Sequence, residues 1–272
     1  QAYARATGCK VEIPIGLMTS DEKNNDAHIW QLLEEAHFFG RSRSSFFVFK
    51  QPLVPVFDKT GQWIATRQEG LHLKPGGHGM IWRAAEQSGF FDELEKRGKA
   101  YLLIRQINNP IASLDDGLLA FYGAGLEGKK RFGFASCPRQ VGAKEGMNVV
   151  KRDGLSYTLT NIEYTDFERY RVEDRASEGS QYSVFPSNTN ILFAKLKSVR
   201  AALDQLPFPG PVLNFKGGDR ARLELMMQNI ADAFGERFAK PQLDSDLGKL
   251  GTYLTYNKRE RTISVTKQQW AG

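Results

Sequence analysis

Short apolar runs rich in Val, Ile, Leu and Phe alternate along this chain with segments whose apolar residues recur at helical spacing. Such alternation argues for an α/β domain built largely on one sheet, because strands and helices then cover each other's apolar faces. Residues 11–18 read as a buried strand. Residues 26–39 read as a helix burying Ile29, Leu32, Leu33 and Ala36 and stopping at Gly40. A second strand is predicted over 46–49, a short return over 63–66, and helices over 80–87, with Gly89 as stop, and 92–97. The run KAYLLIRQI, residues 99–107, has the near-continuous apolar character of an interior parallel strand.

From Phe132 the pattern becomes antiparallel, and Asp153-Gly154 between the two arms of 148–160 is a hairpin signal. Leu192, Leu196, Val199, Leu203 and Leu206 predict a long helix, capped by Asn188 or Thr189 and ended by Pro207 and Pro209. Residues 212–215 read as a strand. Asp219 then caps a last long helix through Leu223, Met227, Ile230, Phe234 and Phe238, with Met226 and Met227 as core fillers. Residues 253–258 and 261–266 read as a terminal hairpin.

Composition narrows the function classes. At 272 residues, 41% hydrophobic, 25% charged and 11% aromatic, the chain is neither disordered nor fibrous, and its length suits one large domain or two small ones. The 37 basic and 31 acidic residues are interspersed, a mildly basic surface that suits anionic ligands generally; a dedicated nucleic-acid stripe would be denser, and phosphorylated small molecules fit equally well. Cys9 and Cys137 stand far apart, so neither a disulfide framework nor a zinc site is written here, and a reducing compartment is expected. No window approaches the length of a membrane span. The opening Gln1-Ala-Tyr lacks an initiating Met and a signal-peptide core, and Ala271-Gly272 carries no capping pattern. The expectation is a chain cut from a longer protein at both ends.

Three features could carry chemistry, the third of them a pair of polar clusters. Gly76-Gly77-His78-Gly79 stands before a helix, where small residues let backbone approach a ligand and free amides meet an anion; a turn with an incidental histidine explains the pattern equally well. Asn108 and Asn109 fall at the end of an apolar run, where open α/β sheets gather ligands, or in a polar turn before a helix at 113–121. Asn188-Thr189-Asn190 and Asn214-Phe215-Lys216 are polar clusters at the borders of apolar elements, and the lysine could neutralise a phosphate; capping and a solvated lysine are the plainer readings.

In order along the chain, eight segments resemble the eukaryotic-type UDP-sugar pyrophosphorylases, the UDP-glucose and UDP-N-acetylglucosamine uridylyltransferases. They are IPIGLMTSD (13–21), HFFG (37–40), FKQPLVP (49–55), KPGGHGMIWRA (74–84), QINNPIASLDD (106–116), IEYT (162–165), SNTNILF (187–193) and LNFK (213–216). The resemblance covers about residues 11–216. It implies a Rossmann-like, GT-A-like nucleotidyltransferase fold, a mixed sheet flanked by helices with an antiparallel hairpin insertion. Residues 1–240 would form a partial catalytic domain and 241–272 the start of a C-terminal segment. The implied reaction joins UTP and a sugar 1-phosphate into a UDP-sugar and pyrophosphate with Mg²⁺, in the cytoplasm or the plastid stroma.

The same resemblance assigns residues. Gln51, Gly76, Gly77, His78 and Gly79 would meet the nucleotide, Asn109, Glu163, Asn188 and Asn190 the sugar, and Lys216 and Asn109 the reacting phosphates. Two departures stand out. The family's Mg²⁺-binding aspartate is Asn108 here, which brings no charge to the metal, and Asp115 in the next helix is no obvious substitute. The glycine-rich nucleotide loop belongs before residue 1, so this segment alone should be inactive. The alternative is a non-catalytic relative that keeps the fold for binding or assembly with a protein partner.

Overall fold

The computed structural model describes residue 8 and residues 11–66, 70–113, 116–215, 219–239 and 243–264. Cys9, Asp115, Lys216 and the end of the predicted terminal hairpin lie outside the described residues. The chain divides into two compact units, residues 1–99 with 210–227, and residues 100–209 with 228–272.

In the first unit Ile15–Thr19 pairs in parallel with Phe46–Lys50, and the helix Asn25–Glu35 makes the crossover that parallel pairing requires. The first strand begins at Ile15, later than the sequence suggests, because Val11 and Ile13 remain exposed. The helix buries Leu33, while Leu32 points outward. Met80–Gln87 and Phe90–Lys96 are helical as expected. Trp82, 1% exposed, anchors the first of them by donating its Nε1–H to Met227 O at 2.8 Å.

A four-stranded antiparallel sheet completes this unit, in the order Pro211–Phe215, Arg220–Leu225, Leu53–Asp58, Leu73–Pro75. Here the helix predicted from Asp219 is overturned. Arg220-Ala-Arg-Leu-Glu-Leu225 alternates polar and apolar residues, and that period of two places it in a sheet. The helical spacing of Met227, Ile230 and Phe234 is real, but it belongs to a separate 3₁₀ run, Met227–Phe234, in which all three are buried.

The second unit is built on a seven-stranded mixed sheet. Its order is Glu236–Arg237, Ser156–Ile162, Met147–Asp153, Ser187–Lys195, Phe132–Cys137, Thr252–Tyr256, with Tyr101–Ile104 also paired to Ser187–Lys195. The hairpin turns at Gly154, φ +55°, as the sequence predicts. Three other expectations are corrected. Tyr101–Ile104 is antiparallel to its neighbour and flanks the sheet instead of running parallel inside it. Residues 187–195 form a strand, and only Leu196–Gln205 is helical. Leu192, Phe193 and Ala194 are all fully buried, so the strand has no exposed face and shows no alternation. Finally, Thr252–Tyr256 pairs in parallel with Phe132–Cys137 and leads into a short helix, Arg259–Thr262, so no terminal hairpin forms over residues 253–264.

Phe193 anchors the long strand in an aromatic cluster. Its ring stacks on Tyr101 at 5.4 Å and meets Tyr122 and Tyr253 edge-on at 5.5 and 5.7 Å. Burying such a ring is worth roughly 1.5–3 kcal/mol, with about 0.5–1.5 kcal/mol more for each well-placed aromatic pair.

Candidate functional site

The glycine loop is shaped by the end of the strand Arg220–Leu225. Gly79 N–H donates to Leu225 O at 2.7 Å and Leu225 N–H to Gly76 O at 2.9 Å. Gly77 has φ +94°, and a Cβ there would come within 2.8 Å of both Leu225 N and Leu225 O; at Gly79 a Cβ would lie 2.5 Å from the Leu225 carbonyl carbon. Glycine is required because two stretches of backbone nearly touch. His78 closes the arrangement, its Nδ1 accepting from Met227 N–H at 3.1 Å. Desolvation pushes the imidazole pKa down to about 4, against an opposing pull from the Glu224 carboxylate. The ring is therefore neutral at physiological pH, with its proton on Nε2, which has no hydrogen-bond partner among the described residues.

Gln51 follows the strand Phe46–Lys50, and its backbone N–H donates to Thr19 O at 2.9 Å. Its side-chain Oε1 is buried without a partner among the described residues, an acceptor waiting for a donor.

In the second unit, Asn108 and Asn109 follow Tyr101–Ile104 and differ sharply. Asn109 is buried, and both ends of its carboxamide are engaged by the C-terminal segment: Nδ2 donates to Thr262 O at 2.9 Å and Oδ1 accepts from Ser264 N–H at 2.8 Å. Asn108 Oδ1 is buried with no partner among the described residues. Among those residues no group of three or more His, Cys, Asp or Glu is placed to hold a metal ion. Asn108 thus fits Mg²⁺ as a single neutral oxygen, short of the carboxylate such sites normally use.

The Asn188–Asn190 cluster sits on a bulge. Asn188 pairs with Ser136 and Leu192 with Phe134, so residues 189–191 together face Ala135 alone. Asn190 adopts φ +58° there. Asn188 holds it: Asn188 Oδ1 accepts from Asn190 N–H at 3.1 Å and Asn188 Nδ2 donates to Asn190 Oδ1 at 2.9 Å. Asn188 is therefore turned inward, and Asn190 Nδ2 is the donor left without a partner among the described residues. Thr189 ties the bulge down through Ala135 O at 2.5 Å.

Sequence reasoning missed the side chains that support these residues. Asn161 Nδ2 and Gln228 Nε2 both donate to Glu163 Oε1, at 3.0 and 3.3 Å, and are themselves buried. Asn161 lies two residues before Glu163 at the end of a strand, a same-face spacing that offered a signal; Gln228 offered none. Arg259 grips Glu145 through both Nη atoms, at 3.0 and 2.5 Å, while Ser187 Oγ donates to the same carboxylate at 2.8 Å. Burial pushes the Glu145 carboxyl up, but the bonds from Arg259 and Ser187 prevail and hold it below its ordinary range. In the first unit Arg222 and Asn214 hold Glu224, beside Gly77.

The segments that built these features match a known sequence family over residues 1–216, described as UTP--glucose-1-phosphate uridylyltransferase. The chain belongs to this family. Within the uridylyltransferase family it is 38% identical, over 98% of its length, to the UTP--glucose-1-phosphate uridylyltransferase 3, chloroplastic, of Arabidopsis thaliana, covering 33% of that protein. It is 24% identical to a UDP-sugar pyrophosphorylase of Oryza sativa subsp. indica, over 81% of the chain and 38% of the relative. The chain thus spans about a third of the length of these relatives. Among solved structures, UDP-N-acetylglucosamine pyrophosphorylase of Trypanosoma brucei superposes with a TM-score of 0.72 at 18% identity, over all of this chain and 53% of that one. A single-residue mutant of UDP-glucose pyrophosphorylase of Leishmania major, in complex with UDP-glucose, gives 0.65 at 21%, over 97% and 55%. These likenesses establish the mixed-sheet nucleotidyltransferase fold. Among the described residues no helix is long and apolar enough to cross a membrane.

Proposed function

We propose that this chain is the central part of a UTP:sugar-1-phosphate uridylyltransferase, which forms a UDP-sugar and pyrophosphate. The observation that carries this reading is the family match over residues 1–216, which takes in Gln51, the glycine loop, Glu163, Asn190 and Lys216. In the reaction a phosphate oxygen of the sugar 1-phosphate attacks the α-phosphorus of UTP in line, and pyrophosphate leaves. Two polyanions must be brought together, so positioning and charge neutralisation are the catalytic task.

Each residue has a role suited to its surroundings. Gln51 Oε1 offers a buried acceptor to the nucleotide base, and the loop Gly76–His78–Gly79 lets the ligand approach backbone while His78 presents a neutral N–H. Glu163 accepts from sugar hydroxyls, its carboxylate oriented by Asn161 and Gln228, and Asn190 donates to them from the position Asn188 fixes. Lys216 neutralises phosphate charge, and Asn109 fixes the strand end. Mg²⁺, when bound, screens the charge of the transferring phosphates; Asn108 would hold it through its amide oxygen. We place the protein in the plastid stroma or cytoplasm, acting on small molecules and not on nucleic acid or membrane.

The second reading is a non-catalytic subunit, favoured by the neutral Asn108 and by the engagement of Asn109 with residues 262 and 264. One assay separates the two: UTP-dependent pyrophosphate release from glucose 1-phosphate by the full-length protein, alongside Asn108→Asp. Release by the parent, strengthened at low Mg²⁺ by Asn108→Asp, is the expected result. Release only after the substitution supports the lapsed enzyme, and none from either refutes the catalytic reading.

A further inference from the structure

In an antiparallel sheet the apolar side of the alternation normally meets the core and the polar side meets water. The four-stranded sheet of the first unit is arranged the other way round. Cross-strand pairs define its faces: Leu213 lies opposite Leu223, Phe215 opposite Ala221, Ala221 opposite Phe57, and Pro55 opposite Leu73. Trp63 bridges to Phe57 and lays its ring on it at 4.9 Å. All of these side chains point to one side, because partners across a ladder share a face and residues two apart do too.

Among the described residues that side is apolar throughout, and it is open. Leu73, Leu213, Phe215, Leu223 and Trp63 are between 41% and 55% exposed. The opposite side carries Asn214, Arg222, Glu224 and Lys74, and these are engaged with one another or with a neighbour. Asn214 and Arg222 donate to Glu224 at 2.8 and 2.6 Å, and Lys74 pairs with Glu22. The polar face is thus the satisfied one. The five open side chains leave roughly 400 Å² of apolar surface, a size at which such patches on soluble proteins are often contact sites.

Area and connectivity choose the occupant. A standard interface between free proteins buries about 800 Å² per partner, so a second copy set on this face alone falls well short. A segment tethered to the same chain loses less freedom on docking and needs less area. The chain spans about a third of the length of its relatives. Its N-terminal portion, residues 1–99, belongs to the unit that carries this sheet, whereas its C-terminal portion, 228–272, belongs to the other. We propose that an amphipathic element of the segment preceding residue 1 packs on this face in the full-length protein, its apolar residues seated on Trp63, Phe215 and Leu223. The proposal rests on reading this chain as the central part of a longer uridylyltransferase. Docking itself requires no turnover.

The test is photocrosslinking of the full-length protein with p-benzoylphenylalanine placed at Trp63 and, separately, at Phe215, two half-exposed aromatic positions that accept the probe without repacking. Peptide mapping should find adducts to residues preceding residue 1 from both positions, in a product of single-chain mass. Adducts confined to residues 1–272, adducts to the chain beyond residue 272, a product of doubled mass or no adduct at all each overturn the proposal. Leu223→Glu gives an independent reading. A carboxylate pressed against a docked apolar element should loosen it, so that proteinase K clips the preceding segment from the full-length protein at least about tenfold faster. An unchanged rate overturns the proposal. Failure of the uridylyltransferase reading shows elsewhere, as absence of pyrophosphate release, and leaves both measurements readable.

Discussion

The glycine loop of the first unit and the bulged strand of the second each hold a residue in left-handed backbone, and they do so by opposite means. At Gly77 the conformation is reached by omitting a side chain, and the loop is fixed by main-chain bonds to Leu225. At Asn190 it is reached by adding one, because the Asn188 carboxamide pins both the backbone and the side chain of Asn190. The difference teaches what each can present. The loop offers backbone and a neutral imidazole, suited to close contact with a nucleotide. The strand offers an aimed amide, suited to reading hydroxyl groups one by one.

Substitutions should break the two in different ways. Gly77→Ala should have the largest effect, because its Cβ would meet Leu225 backbone at 2.8 Å in a left-handed conformation. Overpacking and the conformational penalty together predict a loss of about 3 kcal/mol or more in urea unfolding. A loss under about 1 kcal/mol would mean the loop is not fixed by backbone proximity.

Next comes the Arg259–Glu145 ion pair, whose carboxylate also takes the Ser187 hydroxyl at the start of the bulged strand. Arg259→Met leaves the half-buried Glu145 without its partner and should cost about 2 kcal/mol, less than a fully buried pair would. The pH dependence has a definite sign. Glu145 has a lowered pKa in the folded state, so its stabilisation is present above the ordinary carboxyl value and is lost as pH falls through the lower folded value. Arg259→Met should flatten that acid limb of the stability profile; an unchanged profile would remove Glu145 as its source.

Asn188→Ala should cost about 1 kcal/mol through the two lost bonds to Asn190, whereas Asn190→Gly should stay within about 0.5 kcal/mol because glycine accepts the left-handed backbone. Equal effects would mean that the Asn188 carboxamide does not hold Asn190 in its left-handed conformation. The smallest signal is protonation of His78, which NMR should find titrating near pH 4. Because that value is depressed, the unfolded chain takes the proton first, and stability falls as pH drops from the ordinary histidine range towards 4. A midpoint near the ordinary value of 6.5 would contradict a desolvated ring whose Nδ1 accepts from Met227 N–H.

Much of this was legible in the residues. The glycine loop, the helix after it, the hairpin at Gly154 and the family resemblance all rest on local pattern, which survives folding unchanged. The strand Ser187–Lys195 was not legible, because it is buried on both faces and runs directly into a helix whose leucines extend its spacing. Residues 220–225 alternated plainly, yet the apolar spacing of Met227, Ile230 and Phe234 concealed it. The partners of Glu163 and Glu145 come from distant positions, Gln228 and Arg259, and sequence spacing says nothing of such contacts.

The division of labour between loop and strand has one direct test: calorimetric affinities of the full-length protein for UDP and for UDP-glucose, parent against Asn190→Ala. Losing one hydrogen bond to a sugar hydroxyl should weaken UDP-glucose about tenfold and leave UDP within about twofold. An equal loss for both ligands, or none for either, would contradict the assignment of sugar reading to the bulged strand.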